Sequence, residues 1–203
     1  MDHNLLGEKN LRSVIRNNMS NQEIEIKVKV NDTKDLEEFL IEKGKFQFEN
    51  KQVDQYYVPS HRDFTKVTPI KEWLRLRTEA EKNTINYKNW HYQEDGKAYH
   101  CDEYEIVIDD KDTGQKILEA LDLKKVITVD KVRKVYIYQD YEVAIDSVKD
   151  LGSFIEVEYI GLKKISDVKH KSDEMIDFLK QHGCQNVERD FKGYPYLLLE
   201  KSK

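Results

Sequence analysis

Residues 23–30 read Glu23-Ile24-Glu25-Ile26-Lys27-Val28-Lys29-Val30. Alternate positions are charged, and those between them are aliphatic. Successive side chains of a strand point to opposite faces, so this period of two predicts a β-strand with one wholly charged side. A charged strand face ordinarily meets water. The fold turns on whether this strand stands alone or is one of a set.

It is one of a set. Trp73–Arg77 carries Arg75 and Arg77 in phase, and Thr84–Trp90 carries Lys88 on its polar side. Glu103–Ile108 carries Glu103 and Glu105, and Val129–Tyr138 carries Lys131 and Arg133. Tyr141–Asp146 ends on Asp146, and Phe154–Tyr159 carries Glu156 and Glu158. Gln52–Val58 and Tyr194–Leu199 read as further strands. Helices are predicted from Asp32 to Gly44, with Leu36, Phe39 and Leu40 as the apolar stripe, from Asp112 to Leu121, and over Asp173–His182 before Gly183. Pro59–Ile70 reads as a loop and Glu94-Asp95-Gly96 as a turn. About eight strands, short links and helices that come singly favour a mainly antiparallel β fold with flanking helices, in the α+β class.

The doublets are segregated by sign, and like charges on one strand face repel. A surface open to water has no need of them. A closed barrel of about eight strands can hold a small ligand inside. Its outward positions would be Ile24, Ile26, Val28, Tyr104, Ile106, Val143, Ile145, Ile155 and Val157, covered by the helices. The inward bases suit a multiply charged anion such as phosphate. The inward acids suit Mg²⁺ or Mn²⁺, which take oxygen ligands. A metal-chelated polyphosphate satisfies both.

The bulk numbers agree with a folded domain. The 203 residues suffice for one core. Charged residues make up 36%, above the usual quarter or so, yet the strand-like runs exclude disorder. A formal net charge of −5 argues against a nucleic-acid partner. No apolar run approaches the roughly 20 residues that span a bilayer, so no membrane partner is expected. The polar stretch 1–21 is read as an N-terminal extension or a short helix. Cys101 and Cys184 lack a C-x-x-C partner, which points to two free thiols and a cytoplasmic location. His61, His91 and His100 are read as solvated loop residues, and Trp73 and Trp90 as packing or rim residues.

Taken in order, these elements resemble the CYTH, or triphosphate tunnel, family. Glu23-x-Glu25-x-Lys27 is similar to its E-x-E-x-K signature, and Arg75-Leu76-Arg77 to its arginine strand. Tyr87-Lys88 resembles its central lysine, Glu103-Tyr104-Glu105 its paired glutamates, and Lys131-Val132-Arg133 its basic strand. Ala144-Ile145-Asp146, Leu151-Gly152 and Phe154-Ile155-Glu156-Val157-Glu158 resemble its closing acidic element. Tyr56-Tyr57-Val58-Pro59 with Arg62-Asp63-Phe64 resembles the class IV adenylyl cyclase-like branch. Asn89-Trp90 departs from the Gly-Pro often found after the central lysine.

The resemblance implies one CYTH-like domain over 22–201, an eight-stranded closed β-barrel forming a charged tunnel, and Mg²⁺ or Mn²⁺ as cofactor. Its partner would be ATP or another small triphosphate, and a homodimer is left open. Lys27, Arg75, Arg77, Lys88, Lys131 and Arg133 would bind the triphosphate. Glu25, Glu156 and Glu158 would hold the metal, with Glu23, Glu103, Glu105 and Asp146 as further ligands or behind them. Glu25, Lys88 and Arg133 are the candidate catalytic groups. The preferred reaction is ATP to cyclic AMP and pyrophosphate. The alternatives are an inorganic or thiamine triphosphatase, and a non-catalytic polyphosphate or nucleotide sensor.

Overall fold

The protein is described from a computed structural model that covers residues 24–80, 82–92, 98–163, 165–185 and 187–202. Glu23, the stretch 1–21 and Glu94-Asp95-Gly96 lie outside the described residues. The elements run β1 (Glu25–Val30), α1 (Lys34–Lys43), β2 (Lys45–Pro59), β3 (Glu72–Glu79), β4 (Lys82–Tyr92) and β5 (Ala98–Ile108). They continue with α2 (Lys111–Ala120), β6 (Leu123–Tyr138), β7 (Tyr141–Val148), β8 (Gly152–Tyr159), α3 (Val168–Gln181), β9 (Glu188–Arg189) and α4 (Tyr194–Lys201).

All described pairings are antiparallel, and the strands form one sheet in the order β5-β4-β3-β2-β6-β7-β8-β1-β9. β9 is only two residues long. The sheet is open: among the described residues no pairing joins β5 to β1 or β9.

Two helices cover the aliphatic side of β1, β8 and β7. Ile26, Val28, Val143, Ile155 and Val157 pack there against Leu36 and Leu40 of α1 and Met175 and Leu179 of α3. Each fully buried side chain of this size is worth about 1.5–3 kcal/mol of transfer free energy. α2 lies over the outer side of β3, setting Leu118 on Leu76 and Tyr57. Asp110 starts α2 by accepting from the amides of Asp112 and Thr113, and Asp167 starts α3 by accepting from His170 N.

Two expectations are corrected. Residues 194–199 form the start of helix α4, not a strand. Pro195 sits in its first turn, where a missing N–H costs nothing. Tyr104 and Ile106 do point away from the charged face, but no helix covers them, and they are 67% and 61% exposed. α2 reaches β3 and β6 rather than the far side of β5.

Candidate functional site

Directly opposed residues of an antiparallel pair share a face, as do residues two apart on one strand. The register therefore decides where the charges lie. Lys27 opposes Glu156, and Glu25 opposes Glu158. Arg133 opposes Asp146, and Lys131 opposes Gln52. Arg77 opposes Asp54, Arg75 opposes Asn86, and Lys88 opposes Glu103. Every described residue expected in the site thus falls on one face of the sheet.

At the centre is Asp146, with no exposed surface. Lys131 Nζ donates to its Oδ2 at 2.7 Å, Arg133 Nη2 at 2.6 Å and the Tyr194 hydroxyl at 2.8 Å. Arg133 Nε donates to its Oδ1 at 2.7 Å. Arg133 also donates to Glu156. Burial alone would push the Asp146 carboxyl up, but Arg133 and Lys131 outweigh it and hold it at about 2. The same burial, with Arg133 alongside, brings the Lys131 ammonium down to about 8. Glu156 is held below its ordinary value because Arg133 and Lys131 outweigh its burial.

A second cluster lies across β2 and β3. Arg77 donates Nε and Nη2 to the two oxygens of Asp54 at 2.6 and 2.7 Å. Arg75 Nη1 is 3.5 Å from Asp54. The fork orients the Arg77 guanidinium plane, as a bidentate carboxylate does. Arg75 Nε is buried with no hydrogen-bond partner among the described residues, a donor suited to an incoming phosphate oxygen. Toward β5, Lys88 is 3.2 Å from Glu103, and Asn86 Nδ2 donates to Glu103 at 2.7 Å and to Glu105 at 3.3 Å. At the β1 side, Lys27 pairs with Asp190 at 3.3 Å and donates to the Lys192 carbonyl.

Asp146, Glu156, Glu103 and Asp54 hold bases in place. Glu25 and Glu158 oppose one another, and Glu142 opposes Glu158 from β7. Among the described residues no three acidic, histidine or cysteine side chains converge on one point as a metal group would. Glu25 and Glu158 carry oxygen donors, the ligand type that Mg²⁺ and Mn²⁺ take.

Residues unforeseen from the sequence complete the face: Asp54, Gln52, Asn86, Asp190 and Tyr194. Other readings change in detail. His91 lies on β4 rather than in a loop, with Nε2 2.7 Å from Asp102. Trp73 packs as expected, edge-on against Tyr56 at 5.5 Å. Arg62 donates to Glu72 at 2.9 Å, and Asp63 accepts from Thr65 N at 2.9 Å, so both are engaged in fixing their own loop.

The charged face ends on an apolar wall. Tyr56, Val129, Val148 and Phe154 close its far end, packed beneath Tyr194 and Leu198 of α4.

The profile of the CYTH domain matches residues 21–194. The chain belongs to the CYTH family. A relative in Methanocaldococcus jannaschii, named "Putative adenylate cyclase", is 35% identical over 173 residues, which cover 83% of this chain and 91% of the relative. A Pyrococcus horikoshii protein of known structure is 28% identical, with a TM-score of 0.68, and the match covers 87% of this chain and 99% of that one. A Hippeastrum protein, titled a "Putative adenylyl cyclase" with a dominant triphosphatase activity, shares the fold. It is 18% identical with a TM-score of 0.66, covering 89% of this chain and 96% of its own. CYTH domains process triphosphates, generally with metal. Among the described residues, no helix of this member is long and apolar enough to cross a membrane.

Proposed function

We propose that this CYTH protein is a metal-dependent enzyme that converts ATP to cyclic AMP and pyrophosphate. The observation that carries the triphosphate part is the register, which gathers bases from β1, β3, β4 and β6 on one face. The cyclase part rests on the 35% identical relative and its name, and on the Tyr56–Phe64 stretch that resembles the cyclase-like branch.

In this reading Lys27, Arg75, Arg77, Lys88, Lys131 and Arg133 grip the phosphate oxygens. Asp54 and Asp146 keep their donors aimed. Phosphoryl chemistry depends mainly on such positioning and charge neutralisation. Glu25 and Glu158, with Glu23, would hold Mg²⁺ or Mn²⁺, and Glu103, Glu105, Asp146 and Glu156 would act from behind. When bound, the metal neutralises phosphate charge and lowers the pKa of an oxygen nucleophile. The ribose 3′-hydroxyl gives up its proton to solvent as its oxygen bonds to the α-phosphorus, the bond from that phosphorus to the oxygen bridging to the β-phosphate breaks, and pyrophosphate leaves with the electron pair. Lys88 and Arg133 would stabilise the charge that develops. We further infer that the open sheet closes into a barrel, with β5 approaching the β1 side and wrapping the face around its guest.

The test is product analysis. ATP, tripolyphosphate and thiamine triphosphate are each incubated with the protein and Mg²⁺ or Mn²⁺, and the products are separated by chromatography. Cyclic AMP and pyrophosphate in equal amounts from ATP are expected. ADP with phosphate, or phosphate from tripolyphosphate without cyclic AMP, would replace the cyclase with a triphosphatase on the same face.

A further inference from the structure

We propose that the cavity bounded by β1, β9 and α4 is a second binding site, and that it takes a small organic phosphate: a phosphate monoester with an apolar, ring-sized body. The site lies outside the triphosphate reading and stands or falls separately from it.

The cavity measures about 550 Å³, within the roughly 300–1,000 Å³ of ligand sites. Its floor is apolar, made by Phe154 of β8, Leu151 just before that strand and Leu197 of α4. Three exposed cations stand around the floor: Lys29 from β1, Arg189 from β9 and Lys201 at the end of α4. None of Lys131, Arg133, Asp146 and Glu156 lines the cavity, so it is no part of the cluster around Asp146.

Charge in the cavity is unbalanced. Two acids line it, Asp190 and Glu200. Each is engaged by a lysine that does not: Asp190 by Lys27 at 3.3 Å, and Glu200 by Lys192 at 2.8 Å. Among the described residues, the three lining cations have no carboxylate within 4.0 Å. Lys29 Nζ rests 5.8 Å from the centroid of the Phe154 ring. Arg189 lies over the Phe191 ring at 4.8 Å, with the Glu25 carbonyl 3.5 Å from its Nη2, and Asp173 acts on it only from farther away. Lys201 donates to the Asp150 carbonyl. A cation held by a ring or a carbonyl keeps its full charge, and each of these has N–H donors to spare.

The lining selects the ligand by its two halves. Lysine and arginine donors suit a phosphate dianion, with which they form charge-assisted hydrogen bonds. The leucine and phenylalanine floor gains only from an apolar group that leaves water. A bare polyphosphate has nothing for the floor, and an uncharged ring has nothing for the cations. A phosphate monoester of an aromatic body serves both, with its phosphate at the rim and its body on the floor.

The probe is naphthyl phosphate, compared by calorimetry with its two halves, naphthol and inorganic phosphate. Each is titrated into the full chain as the parent, Arg189→Gln and Lys201→Gln. The parent is expected to bind naphthyl phosphate at least about tenfold more tightly than either half. Each variant should bind it about tenfold more weakly, the equivalent of one hydrogen bond to a charged group. Both substitutions are at exposed positions, and a thermal melt shows that each variant is folded. No binding of naphthyl phosphate to the parent overturns the site, and so does either half binding as tightly as the ester. Unchanged affinity in either folded variant overturns it as well. Should one variant fail to fold, the other decides.

Discussion

Asp146 shows how much one carboxylate carries. It accepts from Lys131, Arg133 and Tyr194 with no solvent to share the task. Asp146→Asn leaves the buried Lys131 without its carboxylate and Arg133 with Glu156 alone, and should cost about 3–5 kcal/mol, read from the denaturant midpoint. The pH dependence has a definite sign. The folded carboxyl sits at about 2 against an ordinary 3.8. Its contribution is complete above about pH 4 and is lost as pH falls toward about 2. The stability gap between parent and Asp146→Asn should therefore narrow as pH falls across that window. Like the other charged doublets, Lys131 and Arg133 were legible in sequence because two equal charges two residues apart are conspicuous. Asp54, Gln52 and Asn86 were not. A lone acid or amide on a strand looks the same whether it faces water or an arginine, and only the register separates the two.

Among the elements, β8 delivers three residues of the face: Phe154 at the wall, then Glu156 and Glu158. Its start depends on a tight connection in which Asp150 has φ 66° and Gly152 φ 95°. A Cβ at Gly152 would meet no neighbouring atom, so a side chain there meets only backbone strain. Gly152→Ala should cost about 1–2 kcal/mol in a thermal or denaturant melt while leaving tripolyphosphate affinity unchanged. α4 is the element that strand reasoning missed. Tyr-Pro-Tyr-Leu-Leu-Leu is short and apolar, and periodicity alone does not separate a short strand from a short buried helix. The available signal was Gly193 followed by proline in the first turn, a helix-start pattern. The exposure of Tyr104 and Ile106 was illegible for another reason. Alternation assigns a side chain to a face, but whether a helix lies over that face depends on the path of distant chain.

At the scale of the molecule, the protein carries net charge −5 while keeping its triphosphate-binding candidates on one face. The bases there already have carboxylate partners, so a bound polyanion exchanges partners rather than filling an empty positive field. Closure of β5 toward β1 predicts that tripolyphosphate with Mg²⁺ slows amide hydrogen exchange in residues 101–108, which form the present sheet edge; unchanged exchange under saturating ligand would remove the closing step. Pairing of Glu25 with Glu158 also has a consequence for how the chain is made. β1 finds its main partner only after more than a hundred further residues have been added, a costly loop to close. Until then a β-prone strand waits with its hydrogen-bonding edges bare, the condition under which chains stick to their neighbours. The charges at 25, 27 and 29 interrupt its aliphatic positions, as gatekeeper residues do. Glu25 and Lys27, proposed above for metal and triphosphate, thus also guard the nascent chain against aggregation before any site exists.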